Sequence, residues 1–523
     1  MEEQLEKQII IDLTKSRIKN SGDLNVFKRK ISKKFGVPVI SNVNLLKSYH
    51  SFCRKKRIKP NRFLERILRK RPIRSLSGVA IVSILTKSYP CPGKCLYCPA
   101  EKGMPKSYLS NEPAVMRAIL NKFDPKKQIE NRLKSLEMQG HPTDKIELII
   151  IGGTWSYLPE KYQRNFIKNC FNAANKKPSN NIRSAQKLNE KAKHRIIGVT
   201  IETRPDFINE KEILRLREFG VTRVELGIQS IYDDVLEFNS RGHFVKESIK
   251  ATKLLKDAGF KVCYHIMLNL PKSSPKKDEK MFKELFSNSD FRPDLLKIYP
   301  CAILKEAPLY KLWKEGKYKP YTEKQLVNLL LWIKKQIPYY CRIQRLIRDI
   351  PSLSIITGPA KISNMRQVLE KTSKKQGWTC KCIRCREVGD KYDPKEKLYL
   401  FRQDYRASGG KEIFLSYENK SRTRLYSLLR LRYPSKNTFI PILKNSAIIR
   451  EVHTYGQLHP LEIKETSPQH KGLGKKLIKE AENIAKTEFG LKKISVISGI
   501  GAREYYRKLG YEIKDTYLIK KLR

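Results

Sequence analysis

Val79-Ala80-Ile81-Val82-Ser83-Ile84-Leu85, then five residues, then Cys91-Pro92-Gly93-Lys94-Cys95-Leu96-Tyr97-Cys98: the fold is decided in this stretch. A β-branched run too short for a helix opens onto a loop that carries three cysteines within eight residues. Five more runs of the same kind follow: IELIII (146–151), RIIGVTI (195–201), RVELGI (223–228), KVCYHIM (261–267) and LLKIYP (295–300), each separated from the next by a longer amphipathic stretch. Tight turns serve antiparallel strands, whereas parallel strands need long crossovers, so this alternation predicts a parallel α/β sheet. Six strands with helices between them suit an open or closed βα barrel, and such barrels place their chemistry at the C-terminal ends of the strands.

The thiol loop follows the first strand and therefore sits at that end. Three thiolates can hold a 4Fe–4S cluster while leaving one iron without a protein ligand, free to chelate a small molecule. The CX3CX2C spacing of Cys91, Cys95 and Cys98, with Tyr97 before the last thiol, resembles the radical S-adenosylmethionine superfamily. A zinc knuckle with a distant fourth ligand is the other chemistry open to these thiols. Gly152-Gly153-Thr154 closes the second strand and resembles the superfamily's motif for the methionine amino group. Glu202 and Arg204 end the third strand and Gln229 and Ser230 the fourth, where the superfamily contacts ribose and carboxylate; service to the barrel itself is the plainer role for each.

Outward from the barrel, residues 76–371, the composition changes on both sides. Residues 1–75 have helical periodicity interleaved with basic runs such as Lys28-Arg29-Lys30, Arg54-Lys55-Lys56-Arg57 and Arg69-Lys70-Arg71, as a helical module facing phosphates would. Residues 372–400 form a connector with three more thiols, Cys380, Cys382 and Cys385, whose closeness suits zinc with a fourth ligand from elsewhere. Residues 401–523 predict strands at 412–416, 447–456 and 492–498 and helices at 474–489 and 503–509. Gln469-His470-Lys471-Gly472-Leu473-Gly474 opens the first of these helices and matches the pyrophosphate loop of GNAT acetyltransferases, in which glycines and a helix N-terminus cradle acetyl-CoA. Glu451-Val452-His453-Thr454 before it and Tyr505-Tyr506 after it stand in the GNAT order.

Composition sets the boundaries of function. The chain has 523 residues, more than one core usually supports, and 108 Lys and Arg against 52 Asp and Glu, a formal charge of +56. That excess points to a polyanion, because Lys and Arg on phosphates release counterions. Eleven cysteines, an odd number, favour metal over a disulfide framework. With no run long and apolar enough for a membrane span and no signal peptide, the expected location is cytoplasmic, with no membrane partner.

The order of a radical-SAM barrel, a Cys-rich linker and a GNAT domain, with the strings EPAVMRA (112–118), GHPTDKIELIIIGGTW (140–155), TIETRPD (200–206), TRVELGIQSIYDDVL (222–236), DFRPDLLKIYP (290–300), REVHTYG (450–456) and EYYRKLGYE (504–512), resembles the Elongator catalytic subunit family, the tRNA wobble-uridine carboxymethyltransferases. The resemblance runs from about residue 70 to the end. It implies a tRNA anticodon stem-loop as partner, a cluster on Cys91, Cys95 and Cys98, and S-adenosylmethionine, acetyl-CoA and zinc as companions. It also implies acetyl-CoA contacts at Lys145, Glu451, Val452, His453, Thr454, Leu473, Gly474, Lys475 and Tyr506, with Lys145, Tyr505 and Tyr506 in catalytic roles. By resemblance, reductive cleavage of S-adenosylmethionine gives a radical that takes hydrogen from the acetyl methyl; the carbon then adds to uridine carbon 5, and thioester hydrolysis leaves a carboxymethyl group. The chain departs from the family where PGLPG reads Leu268-Asn269-Leu270-Pro271-Lys272, and residues 160–195 read as a Lys- and Asn-rich loop insertion. Rival readings are a protein lysine acetyltransferase with a structural iron–sulfur domain, and a nucleic-acid scaffold with dead sites. Oligomeric state is left open, a homodimer included.

Overall fold

A computed structural model describes residues 2–55, 58–70, 77–389, 392–393, 395–435, 438–456 and 472–522. Lys56, Arg57 and Arg71 of the basic runs and Gln469, His470 and Lys471 of the glycine loop lie outside the described residues. The six expected strands are present as β1 (Ala80–Leu85), β2 (Lys145–Ile151), β3 (Arg195–Thr203), β4 (Arg223–Gln229), β5 (Lys261–Leu268) and β6 (Leu295–Pro300), and a seventh, β7 (Arg342–Arg345), extends the sheet. All neighbours are parallel and the spatial order is the chain order, the arrangement of a βα half-barrel. The short strand β7 was not legible as a strand, since RIQR alternates Ile343 with charged and polar residues and offers no apolar run.

Helices cover the outer face. After β1 come α5 (Pro113–Leu120) and α6 (Pro125–Met138), preceded in the chain by the N-terminal four, α1 (Glu2–Lys15), α2 (Ser21–Phe35), α3 (Asn42–Arg54) and α4 (Arg62–Leu68). Those four close on their own core of Ile10, Leu13, Leu24, Leu45, Leu46 and Tyr49. The expected loop insertion at 160–195 is instead two helices, α7 (Glu160–Asn175) and α8 (Ile182–Asn189), running into β3. Phe166, Ile167, Cys170, Phe171 and Ala174 fall on one helical face and are buried against the barrel, which outweighs the polar composition of the stretch.

The C-terminal unit is a second seven-stranded sheet, β13-β14-β12-β11-β10-β9-β8. Its strands are β8 (Tyr399–Ala407), β9 (Gly410–Glu418), β10 (Leu425–Tyr433), β11 (Ala447–Thr454), β12 (Lys493–Val496), β13 (Glu512–Lys514) and β14 (Tyr517–Lys521). β11 and β12 run parallel but pair only from Ala447 to Ile449, after which they part. Opposite β10, Arg430 pairs with Glu451 and Leu431 with Ile449, so Arg450 is a bulge residue whose side chain is re-aimed.

Arg450 turns into the barrel, and a buried ion network forms there. Its guanidinium donates to both Asp294 carboxylate oxygens at 2.7 Å, with Arg430 at 3.5 Å and Lys256 at 3.7 Å from the same group. Arg432 bonds Glu412 at 2.9 Å and reaches across to Asp257, while Lys256 lies 3.7 Å from Glu412. Burial opposes the charge on Asp294, but Arg450, Lys256 and Arg430 outweigh it and hold the carboxyl well below the ordinary range. Close apposition continues at the loop after β12, where a Cβ on Gly499 would stand 2.0 Å from the Ile197 carbonyl oxygen and one on Gly501 2.6 Å from the Arg195 Cβ.

Removing one partner from such a network leaves an uncompensated buried charge. Asp294→Asn should lower the stability to urea unfolding by about 3–5 kcal/mol at neutral pH. Because the native carboxyl is depressed, its contribution is complete above the unfolded value of about 4 and is lost as pH falls through the native one. The gap between parent and Asp294→Asn should therefore narrow in acid.

Candidate active site

The loop after β1 gathers the first thiols. Cys95 is buried, and Cys91 and Cys98 are half-buried. The chain curls about Gly93, whose N–H donates to Cys91 Sγ at 3.4 Å; a Cβ there would lie 3.5 Å from Cys95 Sγ and 3.7 Å from Cys91 Sγ. Arg241 extends from the loop after β4 to within 3.7 Å of Cys95 Sγ. A hydrogen bond from Cys98, with help from Arg241, outweighs burial and brings the Cys95 thiol down to about 5. Beside the loop the buried Arg204 binds Asp206 and the Gly242 carbonyl, yet its Nη1 has no hydrogen-bond partner among the described residues. Three clustered thiols, two buried guanidiniums and an unspent donor fit an anionic iron–sulfur cluster and a carboxylate-bearing ligand.

Gly152 and Gly153 adopt φ of 135° and 99° at the exit of β2. A Cβ on Gly152 would stand 2.2 Å from Thr86 Oγ1, so the backbone here closes against the start of the thiol loop. The departure at 268–272 is built the same way without glycine: Asn269 and Lys272 take φ of 63° and 67°. Asn269 holds its turn by accepting from the Tyr321 N–H at 3.0 Å and from the Tyr318 hydroxyl at 2.6 Å.

Below the thiols a cavity of about 1370 Å³ passes through the barrel. Its wall carries Glu202, Glu225, His265 and Lys297. Glu202 accepts from the Tyr108 hydroxyl at 2.7 Å and from Lys297 at 3.2 Å, and Glu225 is held by Lys297 and by His265 at 2.9 Å. Gln229, with φ of 73°, lines the same space. The cavity continues past Arg342 to Cys380, Cys385 and Arg424, the foot of the second sheet.

Cys380, Cys382 and Cys385 hold their sulfurs within 4.8 Å of one another, as ligands of one tetrahedral ion do. No fourth His, Cys, Asp or Glu joins them among the described residues. The Ile383 N–H donates to the Cys341 carbonyl before β7, and the Val388 N–H to Leu425 at the start of β10, so the thiol segment ties the two units together.

At the opposite end of the barrel, the N-terminal ends of its strands meet β11. Glu451 bonds Arg430 at 2.8 Å and Lys261 at 3.2 Å; these cations overcome burial and hold its carboxyl well below the ordinary range. His453 Nε2 donates to the Ser77 carbonyl, 2.8 Å away, and its ring stacks on Tyr455 at 4.3 Å. Lys145 begins β2 on this same end, its ammonium pKa lowered by burial. Where β11 and β12 part, the helix Leu473–Thr487 starts, behind Gly472 with φ of 67°. A Cβ on Gly474 would lie 3.1 Å from the Tyr505 hydroxyl, 3.6 Å from Thr454 Oγ1 and 3.7 Å from Val452 Cγ1. Leu473 is buried and Lys475 exposed on that first turn. Burial pushes the Tyr505 hydroxyl up to about 12, while Tyr506 packs into the core against Tyr511. The geometry thus brings Val452, Thr454, Gly474 and Tyr505 to one point, with Glu451 and His453 facing the barrel, at whose strand starts Lys145 lies.

Arg241, Tyr108, Glu225, His265 and Lys297 escaped the reading of the sequence as site residues. A signal was present: Glu225, Gly227 and Gln229, and likewise His265 with Met267 and Lys297 with Tyr299, recur at period two in apolar strands and so share the barrel's inner face.

Comparison with known proteins agrees with this geometry. The radical SAM superfamily matches residues 86–285, its C-terminal domain residues 293–375, and the GNAT acetyltransferase family residues 443–511. A protein named tRNA uridine(34) acetyltransferase from Methanocaldococcus jannaschii is 49% identical over 470 residues, 87% of this chain and 87% of its own. Human Elongator complex protein 3 is 39% identical, covering 96% of this chain and 93% of its own. The solved structure of archaeal Methanocaldococcus infernus Elp3 with an N-terminal deletion superposes with a TM-score of 0.76 at 45% identity, covering 85% of this chain and all of the other.

The twin-glycine exit yields a stability test. Gly152→Ala forces a side chain into a φ it rarely adopts and into Thr86, and should cost at least about 2 kcal/mol in urea unfolding. An unchanged midpoint would mean that the β2 exit relaxes freely.

Proposed function

The chain belongs to the family of the Elongator catalytic subunit, and from that membership we propose that it forms 5-carboxymethyluridine at the wobble position of transfer RNA with S-adenosylmethionine and acetyl-CoA. The observation that carries this reading is the single cavity that starts at Cys91, Cys95 and Cys98 and reaches Arg424 at the foot of the C-terminal sheet. A pure lysine acetyltransferase would have no use for a polar, cation-lined passage through a barrel.

Cys91, Cys95 and Cys98 would hold a 4Fe–4S cluster, whose contribution is the electron that cleaves S-adenosylmethionine. Gly152 and Gly153 leave backbone groups open to the methionine end, and Arg204 offers its free Nη1 to a carboxylate. Lys297 and Glu202 line the passage toward the reacting centre. For acetyl-CoA, the first turn of Leu473–Thr487 would offer N–H groups to the pyrophosphate, and Leu473, Gly474 and Lys475 would contact it. Glu451, Val452, His453 and Thr454 would edge the thioester arm, with Lys145 closing on it from the barrel. Tyr505, a phenol protonated at neutral pH and standing at the strand divergence, can donate its proton to a leaving thiolate, with Tyr506 packed edge-on against it. Cys380, Cys382 and Cys385 would bind zinc as a structural clamp. The basic surface of α1 to α4 and the barrel would carry the tRNA anticodon stem-loop.

Anaerobic reconstitution with iron and sulfide, followed by mass spectrometry of tRNA nucleosides after both cosubstrates are added, tests this reading. Carboxymethyluridine is expected from the parent. Cys95→Ala should lose the broad visible absorbance of the cluster and all product, and Tyr505→Phe should lower product formation about 10²-fold, within the usual range for a general acid, while keeping the absorbance. Rapid acetylation of lysine peptides, at about one per second or more, with no nucleoside product would overturn it.

A further inference from the structure

Three aromatic rings span three consecutive strand exits on the thiol end of the barrel. Tyr89 lies two residues before Cys91 in the loop after β1, Tyr157 follows Gly152-Gly153-Thr154 after β2, and Phe207 follows Arg204 after β3. Tyr89 and Tyr157 are 6.1 Å apart between centroids, and Tyr157 and Phe207 5.6 Å. Both tyrosines face solvent, Tyr89 with 37% and Tyr157 with 41% of its surface exposed. Folding alone does not account for this arrangement, because a tyrosine serving the core would be buried.

The surroundings select the partner. Lys87 and Lys94 are exposed on the same loop, and Lys106 lines the cavity mouth. The nearest carboxylate on the ladder, Asp206, is neutralised by Arg204, whose guanidinium also lies 5.6 Å from the Phe207 centroid. Cys91, Thr154 and Arg204, each two or three residues from one of the rings, line the cavity. Exposed aromatic rings beside cations at the mouth of a deep polar cavity fit an unstacked single-stranded nucleic acid: bases stack on the rings while one nucleotide enters the opening.

We propose that Tyr89 and Tyr157, which meet edge to face at 64°, together form a platform that seats an RNA nucleobase flanking the one presented to the cavity, one ring offering its face and the other bracing it, with Phe207 and Arg204 buttressing the inner end. This rests on the tRNA reading above and extends it to the residues that hold the loop open. The platform acts on a base face, so it contributes affinity and placement without adding a phosphate contact.

The test uses the full-length protein and an anticodon stem-loop RNA carrying 2-aminopurine on either side of the target uridine. Binding to the parent should quench the fluorescence at one of these positions. Tyr157→Ala and Tyr89→Ala should each abolish the quench and raise Kd about tenfold, within the range for losing one stacked base. Tyr157→Phe, which retains the ring, should behave as the parent. The slope of log Kd against log salt should be the same in all variants, since no phosphate contact is lost. If the parent binds the RNA and Tyr89→Ala/Tyr157→Ala together leave both quench and Kd unchanged, the platform is refuted while the tRNA reading stands. If the parent itself does not bind, both fall.

Discussion

Asp294 is the residue on which the two halves of this molecule agree. It sits without solvent at the start of β6, accepts from the Val262 N–H of β5, and meets Arg450 and Arg430 from the second sheet. A carboxylate in that position is tolerable only among cations: Lys256 comes from the barrel's own helix Val245–Asp257, Arg430 and Arg450 come from the second sheet, and a bulge turns Arg450 inward. The mutual orientation of the two sheets is therefore written into a charge balance rather than into apolar packing alone. What needs both units at once, the passage toward Arg424 and the meeting of Glu451 with Lys261 across the seam, inherits its geometry from that balance.

Much of this was legible from residues. The six apolar runs became six parallel strands within a residue or two of their expected ends, because buried parallel strands have no polar face to blur the pattern. Motifs were legible for the same reason that they are rare: three thiols in eight residues, or a glycine loop ahead of a long helix, have few structural explanations. What stayed hidden was relational. Arg241 reaches Cys95 across 146 positions, and a lone arginine in RGH carries no local mark of that contact. The stretch 160–195 misled through composition: Lys161, Lys176 and Lys187 are exposed, but Phe166, Ile167, Cys170, Phe171 and Ala174 recur at helical spacing and are buried, and Asn172 and Asn189 are buried with them. The loop at 268–272 departs from the family's PGLPG; here Asn269 and Lys272 adopt the left-handed backbone without glycine, with Asn269 held by its own hydrogen bonds.

Chemically, the barrel divides its labour by depth. At the strand exits, thiols, glycines and a spare guanidinium donor form a surface for anionic, weakly shaped ligands. In the middle, Glu225, Lys297 and His265 neutralise one another, so a polar passage can exist at the heart of the fold without a net buried charge of one sign. At the strand starts, the acids and bases belong half to the barrel and half to the second sheet. The cavity wall is thus lined by charges and dipoles fixed by one another, the preorganisation by which a site influences a reacting group.

Gly499 and Gly501 lay the C-terminal unit directly on the backbone of β3, with no side chain between. Contacts through side chains can drift, one substitution at a time, as each partner adjusts to the other. Contact through bare main chain has no such intermediate steps, since every other residue at those two positions collides with Ile197 or Arg195. The two catalytic units consequently form a single heritable object: their lineages cannot be shuffled as independent cassettes, and a hybrid that joins the barrel of one relative to the second sheet of another must preserve this seam before it can preserve anything else.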